Sequence, residues 1–348
     1  MEILRLIAKF SKAIAPYIIW ICILLANRAH SESLYLYRVN ASLLSNYQKA
    51  ISTAFQSNDI IIHGIKNAST SLDCVMPSSS VIISYSTRYN MDLILLRHKS
   101  MGTWGNRLKE CLQRRLIIAC LDSTCMEVCH KNSIPNCVRL NLPVLPASDF
   151  GENAFNFITY LKYELILAAL NIADHVLFID ADVLLFRNPW LDIYFDRNMS
   201  SGKRGGVSKY DFQYQREQGT SYSCAGTVNG GQLYFRKTAK SIKVLEQMIS
   251  NKTFIIESDN GLADQDLLEK YVKLYNLSTC SLSPDLFRGH CLHGHRMGLK
   301  NLSWLNTDII TYHSTCLIGA EEKMAVLHQI VSAITARASK INNGYLER

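Results

Sequence analysis

The sequence predicts an α/β chain built on a mainly parallel sheet, and three observations predict it. Apolar runs of strand length alternate with helix-length stretches between residues 81 and 179. The runs are continuously apolar, as strands covered on both faces are. Two of them end directly in an acid, Asp122 and Asp180, and parallel sheets gather their ligands at the carboxyl ends of strands.

The elements follow in order. Residues 81–86 read as the first buried strand, and 89–99 carry helical spacing. Residues 115–121 form a second buried run closed by Asp122, followed by a polar helix over 123–131 and a short strand at 137–140. Residues 155–172 place Phe157, Leu161, Leu165, Ala168 and Ile172 on one face of a helix. Residues 175–179 are a fourth strand closed by Asp180. After Pro189 the alternation loosens: 205–208 and 228–235 read as strands, 238–249 and 263–275 as helices, 282–301 as a Gly- and His-bearing loop, and 323–336 as a closing helix.

The 348 residues are 48% hydrophobic and 19% charged, without charge runs or repeats, which excludes a disordered bulk and a solenoid. The net charge of +8 is spread along the chain rather than gathered into a basic helix, so a solvated basic surface is favoured and no nucleic-acid partner is expected.

Arg5, Lys9 and Lys12 precede an apolar run from Ala13 to Ala26, and no acid lies between Glu2 and Glu32. That order reads as a signal anchor with a cytosolic N-terminus, the cleaved secretory signal being the alternative. The implied organisation is a cytosolic tail over 1–12, an anchor over 13–29, a stem over 30–80 with a helix near 41–56, and a luminal domain over 81–348. Six Asn-X-Ser/Thr sequons, at Asn40, Asn67, Asn198, Asn251, Asn276 and Asn301, favour the lumen and belong on loops or helix ends. Cys22 lies in the apolar run, and the other ten cysteines are an even set suited to an oxidising compartment. For Cys120, Cys125, Cys129 and Cys137, disulfides are favoured over a zinc site because the spacing lacks tight C-x2-C pairs.

The chemistry centres on Asp180-Ala181-Asp182. Two carboxylates at i and i+2 of an extended backbone point to one side and reach one hard cation, Mn²⁺ or Mg²⁺. Such an ion bridges the phosphates of a nucleotide-sugar and neutralises the departing diphosphate. At the end of a buried strand the pair is more specific than on a loop, since two buried acids need a partner.

Lys162-Tyr163-Glu164-Leu165, the strand ending in Asp180-Ala181-Asp182-Val183, and Arg187-Asn188-Pro189 together resemble the core of the nucleotide-diphospho-sugar transferase family. That family is similar to plant and algal cell-wall xylosyl-, arabinosyl- and galactosyltransferases and has the type A glycosyltransferase fold: a Rossmann-like, nucleotide-binding half joined to an acceptor half. Thr87, Asp122, Asn229-Gly230-Gly231, Asp264-Gln265, and His313 with Gly319 and Lys323 extend the resemblance over 81–328. It implies that Asp180, Asp182 and His313 hold the metal. Gly319 and Lys323 would approach the diphosphate, and Thr87 and Asp122 would line the nucleotide pocket. Lys162 would stand on the helix before the metal strand, and Asn229, Gly231, Asp264 and Gln265 would face sugar and acceptor. It further implies a UDP-sugar donor, a glycan or glycoprotein acceptor, retention of configuration, and single-pass placement in the Golgi membrane. Gly230 departs from the family, which often has Thr there, and the loop bearing His290, His293 and His295 is unfamiliar.

Plainer readings stand beside these. Asp122 and Asp264 could be helix caps, Lys162 a solvated residue, His313 an ordinary satisfied histidine, and the three-histidine loop a polar surface. Two other functions remain open: a haloacid-dehalogenase-like phosphatase with Asp180 as nucleophile, and a luminal relative that binds without catalysis.

Overall fold

The computed structural model describes residues 76–77, 79–140, 153–193, 210–217, 224, 226–251, 264–291, 302, 305 and 308–346. The expected tail, anchor and helix at 41–56, the strand at 205–208, His293, His295 and the sequons at Asn40, Asn67, Asn198 and Asn301 lie outside them, as does the side chain of Phe157. No helix among the described residues is long and apolar enough to cross a membrane.

Four strands, β1 (Ser80–Ser86), β2 (Leu116–Cys120), β3 (Cys137–Arg139) and β4 (His175–Ile179), run parallel in the order β3-β2-β1-β4. Alternate residues of β1 and β4 enter different cores. Val81, Ile83, Val176 and Phe178 face one, and Ile82, Leu177 and Ile179 face the other. Burial on both faces is why these strands are apolar at every position and why the sequence announces them. Met76, ahead of β1, already belongs to the second core.

Between the strands lie α1 (Met91–Ser100), α2 (Asn106–Arg115), α3 (Ser123–Lys131) and α4 (Asn153–Ile172). Helix α2, which the sequence reading passed over, buries only Cys111, Leu112 and Arg115. Helix α4 departs from a one-sided stripe. Leu161, Leu165 and Ala168 are buried as expected, but so are Tyr160, Lys162, Tyr163, Glu164, Ile166, Ala169 and Leu170. Its outer side is covered by later helices, so the apolar stripe is only part of its buried surface.

Beyond β4 the chain makes β5 (Val183–Leu185), the short α5 (Trp190–Ile193), β6 (Phe212–Arg216), β7 (Val228–Arg236), α6 (Ala239–Ser250), α7 (Asp264–Leu274), β8 (Thr279–Ser281), β9 (Phe287–Gly289), β10 (Thr311–His313) and α8 (Ala320–Leu346). Strand β7 pairs antiparallel with both β4 and β6, and β6 pairs parallel with β8, completing a seven-stranded mixed sheet. A second, three-stranded sheet runs β5-β10-β9. The expected loop at 282–301 therefore contains a strand, and the closing helix is longer than 323–336. Helix α8 packs Leu327, Ile330 and Ile334 with Leu184 and Tyr312 into a third core.

Disulfides pair Cys120 with Cys125, Cys129 with Cys137, Cys224 with Cys280, and Cys291 with Cys316. The sulfurs of Cys120, Cys129 and Cys137 do lie within 4.8 Å of one another, but disulfides use them. The Cys224–Cys280 bridge closes 56 residues of sequence separation, worth roughly 4 kcal/mol in the chain-entropy account. The two described sequons sit at helix ends: Asn251 follows α6, and exposed Asn276 follows α7 with φ of 49°.

Candidate active site

The Asp-Ala-Asp segment is not extended. Strand β4 ends at Ile179, and a tight turn, closed by the Val183 N–H donating to the Asp180 carbonyl at 3.2 Å, leads into β5. The two carboxylates converge because of this turn rather than through strand alternation. Arg97 of α1 fixes the turn from behind. Its guanidinium donates to the carbonyl of Val183 at 2.7 Å and to that of Asp180. Burial pulls the Arg97 pKa down to about 10, so it stays charged at neutral pH. Arg97 went unnoticed in the sequence. Its signal is a cation on a helix whose neighbouring positions, Leu93, Ile94 and Leu96, are all core.

The small sheet then delivers the third group. Antiparallel pairing of β10 with β5 sets His313 opposite Val183, one residue past Asp182. One ligand atom from each of Asp180, Asp182 and His313 falls within 4.8 Å of the other two. His313 Nε2 stands 3.3 Å from Asp182 Oδ1. The other oxygen of Asp182, Oδ2, accepts from Ser314 Oγ at 2.8 Å and from Lys323 Nζ at 2.7 Å. Asp180 Oδ1 is buried and has no partner among the described residues.

The electrostatics of the two acids diverge. Burial, reinforced by Asp182 and only partly offset by Lys162 and His313, pushes the Asp180 carboxyl up. Burial also works against Asp182, but His313 and Lys323 outweigh it and hold that carboxyl well below the usual carboxylate range. Lys323 is in turn pushed up: Asp182 overcomes the opposing effect of burial. An orphaned, desolvated carboxylate oxygen beside a second acid and an imidazole nitrogen is a donor set that fits a hard divalent cation.

A second cluster adjoins the first. Lys162 of α4, side chain 4% exposed, pairs with Asp264 at 3.0 Å and donates to the Gly230 carbonyl at 3.2 Å. Burial opposes the charge on Lys162, but Asp264 and Asp180 overcome it and raise its pKa. Tyr163 OH donates to Asp264 Oδ2 at 2.8 Å, and the Gly230 N–H donates to Gln265 Oε1 at 3.3 Å. Asp264 thus turns its carboxylate to α4 and the site, and Lys162 is not a solvated residue.

Asn229-Gly230-Gly231 lies where β7 breaks step. Pairing with β6 passes from Tyr214 opposite Leu233 to Gln215 opposite Asn229. The Gly231 carbonyl accepts from the Asp180 N–H at 2.8 Å, and Asn229 Oδ1 accepts from the Gly231 N–H at 3.0 Å. A Cβ on Gly231 would sit 2.1 Å from His313 Cε1, so the imidazole occupies the place of a side chain there. At Gly230 the corresponding space is taken by Lys162 Nζ, 2.9 Å from a Cβ.

The remaining expected residues line the edge. Asp122 caps α3, accepting from the Cys125 N–H at 2.8 Å, and also accepts from the Arg88 N–H at 2.7 Å. That ties the ends of β1 and β2 together and bears out the capping reading. The Thr87 carbonyl accepts from the Asn90 N–H at 3.0 Å. Gly319, with φ of 84°, precedes α8 and has open space where a Cβ would stand. His290 is a core histidine, bonded through Nδ1 to Tyr312 OH at 2.9 Å.

Paired acids in the turn after β4, an imidazole on β10 and lysines from α4 and α8, gathered beside a mixed α/β sheet, make a site suited to an anionic substrate. The family model described as nucleotide-diphospho-sugar transferase matches residues 111–327, and the chain belongs to that family. It is a glycosyltransferase, which displaces the phosphatase expectation. No curated protein matches the chain. Solved structures it is similar to include a glycosyltransferase involved in the glycosylation of the major capsid of PBCV-1, at 12% identity and TM-score 0.41, covering 71% of this chain and 99% of that one. The galactosyltransferase LgtC in complex with donor and acceptor sugar analogs is 11% identical at TM-score 0.42, over 72% of this chain and 95% of that one. Mouse xyloside xylosyltransferase 1 in its apo form is 11% identical at TM-score 0.40, over 68% and 98%. The family match carries the assignment.

Proposed function

We propose that this glycosyltransferase moves a sugar from a UDP-sugar to a glycan or glycoprotein acceptor with retention of configuration, using Mn²⁺ or Mg²⁺ held by Asp180, Asp182 and His313. The observation that carries it is the convergence of those three ligand atoms within 4.8 Å beside the orphaned Asp180 oxygen. When bound, the ion supplies positive charge for the diphosphate of the donor and of the departing nucleotide.

The chain's own groups do the rest. Lys323 is half-buried and hydrogen-bonded to Asp182; released from it, its ammonium is free to pair with a phosphate oxygen. Gly319 lets the donor approach the backbone at the start of α8, where unpaired N–H groups favour an anion. Asp264, paired with Lys162 and hydrogen-bonded by Tyr163, accepts from sugar hydroxyls, and Gln265 orients the same face. Thr87 and Asp122 border the nucleotide side at the ends of β1 and β2.

We place the enzyme in the Golgi lumen, held as a single-pass type II protein by residues 13–29, with 30–80 as stem. The described disulfides and the helix-end positions of Asn251 and Asn276 support an oxidising, glycosylating compartment. A thermal-shift panel of UDP-, GDP- and CMP-sugars with and without Mn²⁺ tests the donor and the metal together. A ligand at ~100 times its Kd adds about 2.7 kcal/mol. A shift with one UDP-sugar that requires Mn²⁺ is the expected result, and metal-independent stabilisation by any nucleotide-sugar would overturn the metal assignment.

A further inference from the structure

His313 is useful to a cation only in one tautomer. The nitrogen facing Asp182 is Nε2, and it must carry a lone pair rather than a proton. What decides this lies on the far side of the ring. Nδ1 is 2.7 Å from Oε1 of Gln215. A carboxamide oxygen only accepts, so Nδ1 carries a hydrogen and donates it, and Nε2, beside Asp182, is the ring nitrogen left to offer a lone pair to a cation.

Gln215 is placed there with some force. It is 2% exposed, on β6, at the point where the register with β7 shifts. Bulges of this kind re-aim side chains next to active sites. Its Nε2 is buried without a partner among the described residues and lies 3.0 Å from where a Cβ on Gly289 would stand. Gly289 is the residue paired with His313 across β9 and β10, so a missing side chain in one strand makes room for the amide that steers the next. Leaving that amide nitrogen buried without a partner is unfavourable, and an apolar side chain would fill the space without it.

We infer that Gln215 is a positioning residue for the cation: it fixes His313 as the Nδ1–H tautomer and aims Nε2 into the space shared with Asp180 and Asp182. This rests on the proposed metal site and extends it by one shell. Partners that orient a ligating histidine typically change metal affinity 10–100-fold when removed.

The test is Mn²⁺ affinity of the full-length protein, read from the electron paramagnetic resonance signal of free Mn²⁺, with far-UV circular dichroism confirming the fold of each variant. Gln215→Leu removes the acceptor and is expected to weaken binding by ~10–100-fold. Gln215→Glu keeps an acceptor in place and is expected to bind at least as tightly as wild type. Gln213→Leu, an equally buried change on the same strand, is expected to leave affinity within about twofold. If wild type takes up no Mn²⁺, the metal site itself is wrong. If wild type binds and Gln215→Leu binds equally, or Gln215→Glu binds more weakly while folded, the positioning role is wrong. Should Gln215→Leu not fold, the Gln215→Glu comparison decides alone.

Discussion

The two clusters of the active site are built to opposite plans. Around Asp264 every formal charge is answered within the protein: Lys162 pairs with it, Tyr163 donates to it, and Gln265 holds the neighbouring Gly230. Around Asp180 the account is left open. One carboxylate oxygen has no partner among the described residues, a second acid lies alongside, and an imidazole nitrogen stands within reach of both. The first cluster is a finished scaffold that can present a carboxylate to a sugar without rearranging. The second leaves a carboxylate oxygen unanswered, and the cation we propose would answer it. Preorganised polarity and deliberate deficiency thus stand side by side, joined by the hydrogen bond from the Asp180 N–H to the Gly231 carbonyl.

The sharpest way to break this contrast is at Asp182. Asp182→Ala removes a ligand and is expected to lower turnover by at least ~10³-fold while the protein stays folded, because Lys323, the partner left behind, reaches solvent. Circular dichroism beside a donor-hydrolysis assay checks both halves, and near-normal turnover in a folded variant would refute the metal role. At the other cluster the sign reverses. Asp264→Ala strands a buried ammonium and is expected to cost about 3–5 kcal/mol of stability in a urea titration. Adding Lys162→Met to Asp264→Leu should recover most of it, and failure to recover would mean the cluster is not a closed pair.

Acid and alkali should separate the clusters next. Asp182 has a folded pKa below its unfolded value, so its contribution is present above about pH 4 and lost as pH falls through the folded value. Lys162 has a folded pKa above its unfolded one, so its contribution is complete below about pH 10 and lost as pH rises through the folded value. Melting temperatures of metal-free wild type and Lys162→Met across pH should therefore converge only on the alkaline side. The smallest effect is expected at Gly319→Ala. With open space but φ of 84°, it should cost about 1–2 kcal/mol through backbone strain, and Mn²⁺ affinity should not move.

The sequence revealed most where structure is local and repetitive. Strands β1, β2 and β4 are buried on both faces and so read as unbroken apolar runs, and α3 begins at an acid that caps it. Asp180, Asp182, His313 and Lys323 were legible because a resemblance tied them together, and the structure brings all four into contact range. The small sheet was not legible. Its strands are three residues each, too short for a period to show. Arg97 and Gln215 were missed for a related reason: each acts on a partner remote in sequence, Gln215 across 98 residues and Arg97 across 83 and 86. The Asp-Ala-Asp turn was read as extended because the apolar run before it hides where β4 stops.

The pairing of β10 with β5 has a consequence for how the enzyme comes into being. Ser314 follows Asp182 by 132 residues, which at ~5–20 residues per second is about 7–26 s of synthesis. Through that interval the parallel strands and the acidic turn have emerged, while the imidazole and ammonium that balance Asp182 have not. A nascent chain must carry two carboxylates toward an apolar core without their counterweights, so ribosome-bound intermediates stalled before His313 should be open at this corner and accessible to proteases. Completion of the candidate site in this sense waits on the segment from His313 to Lys323.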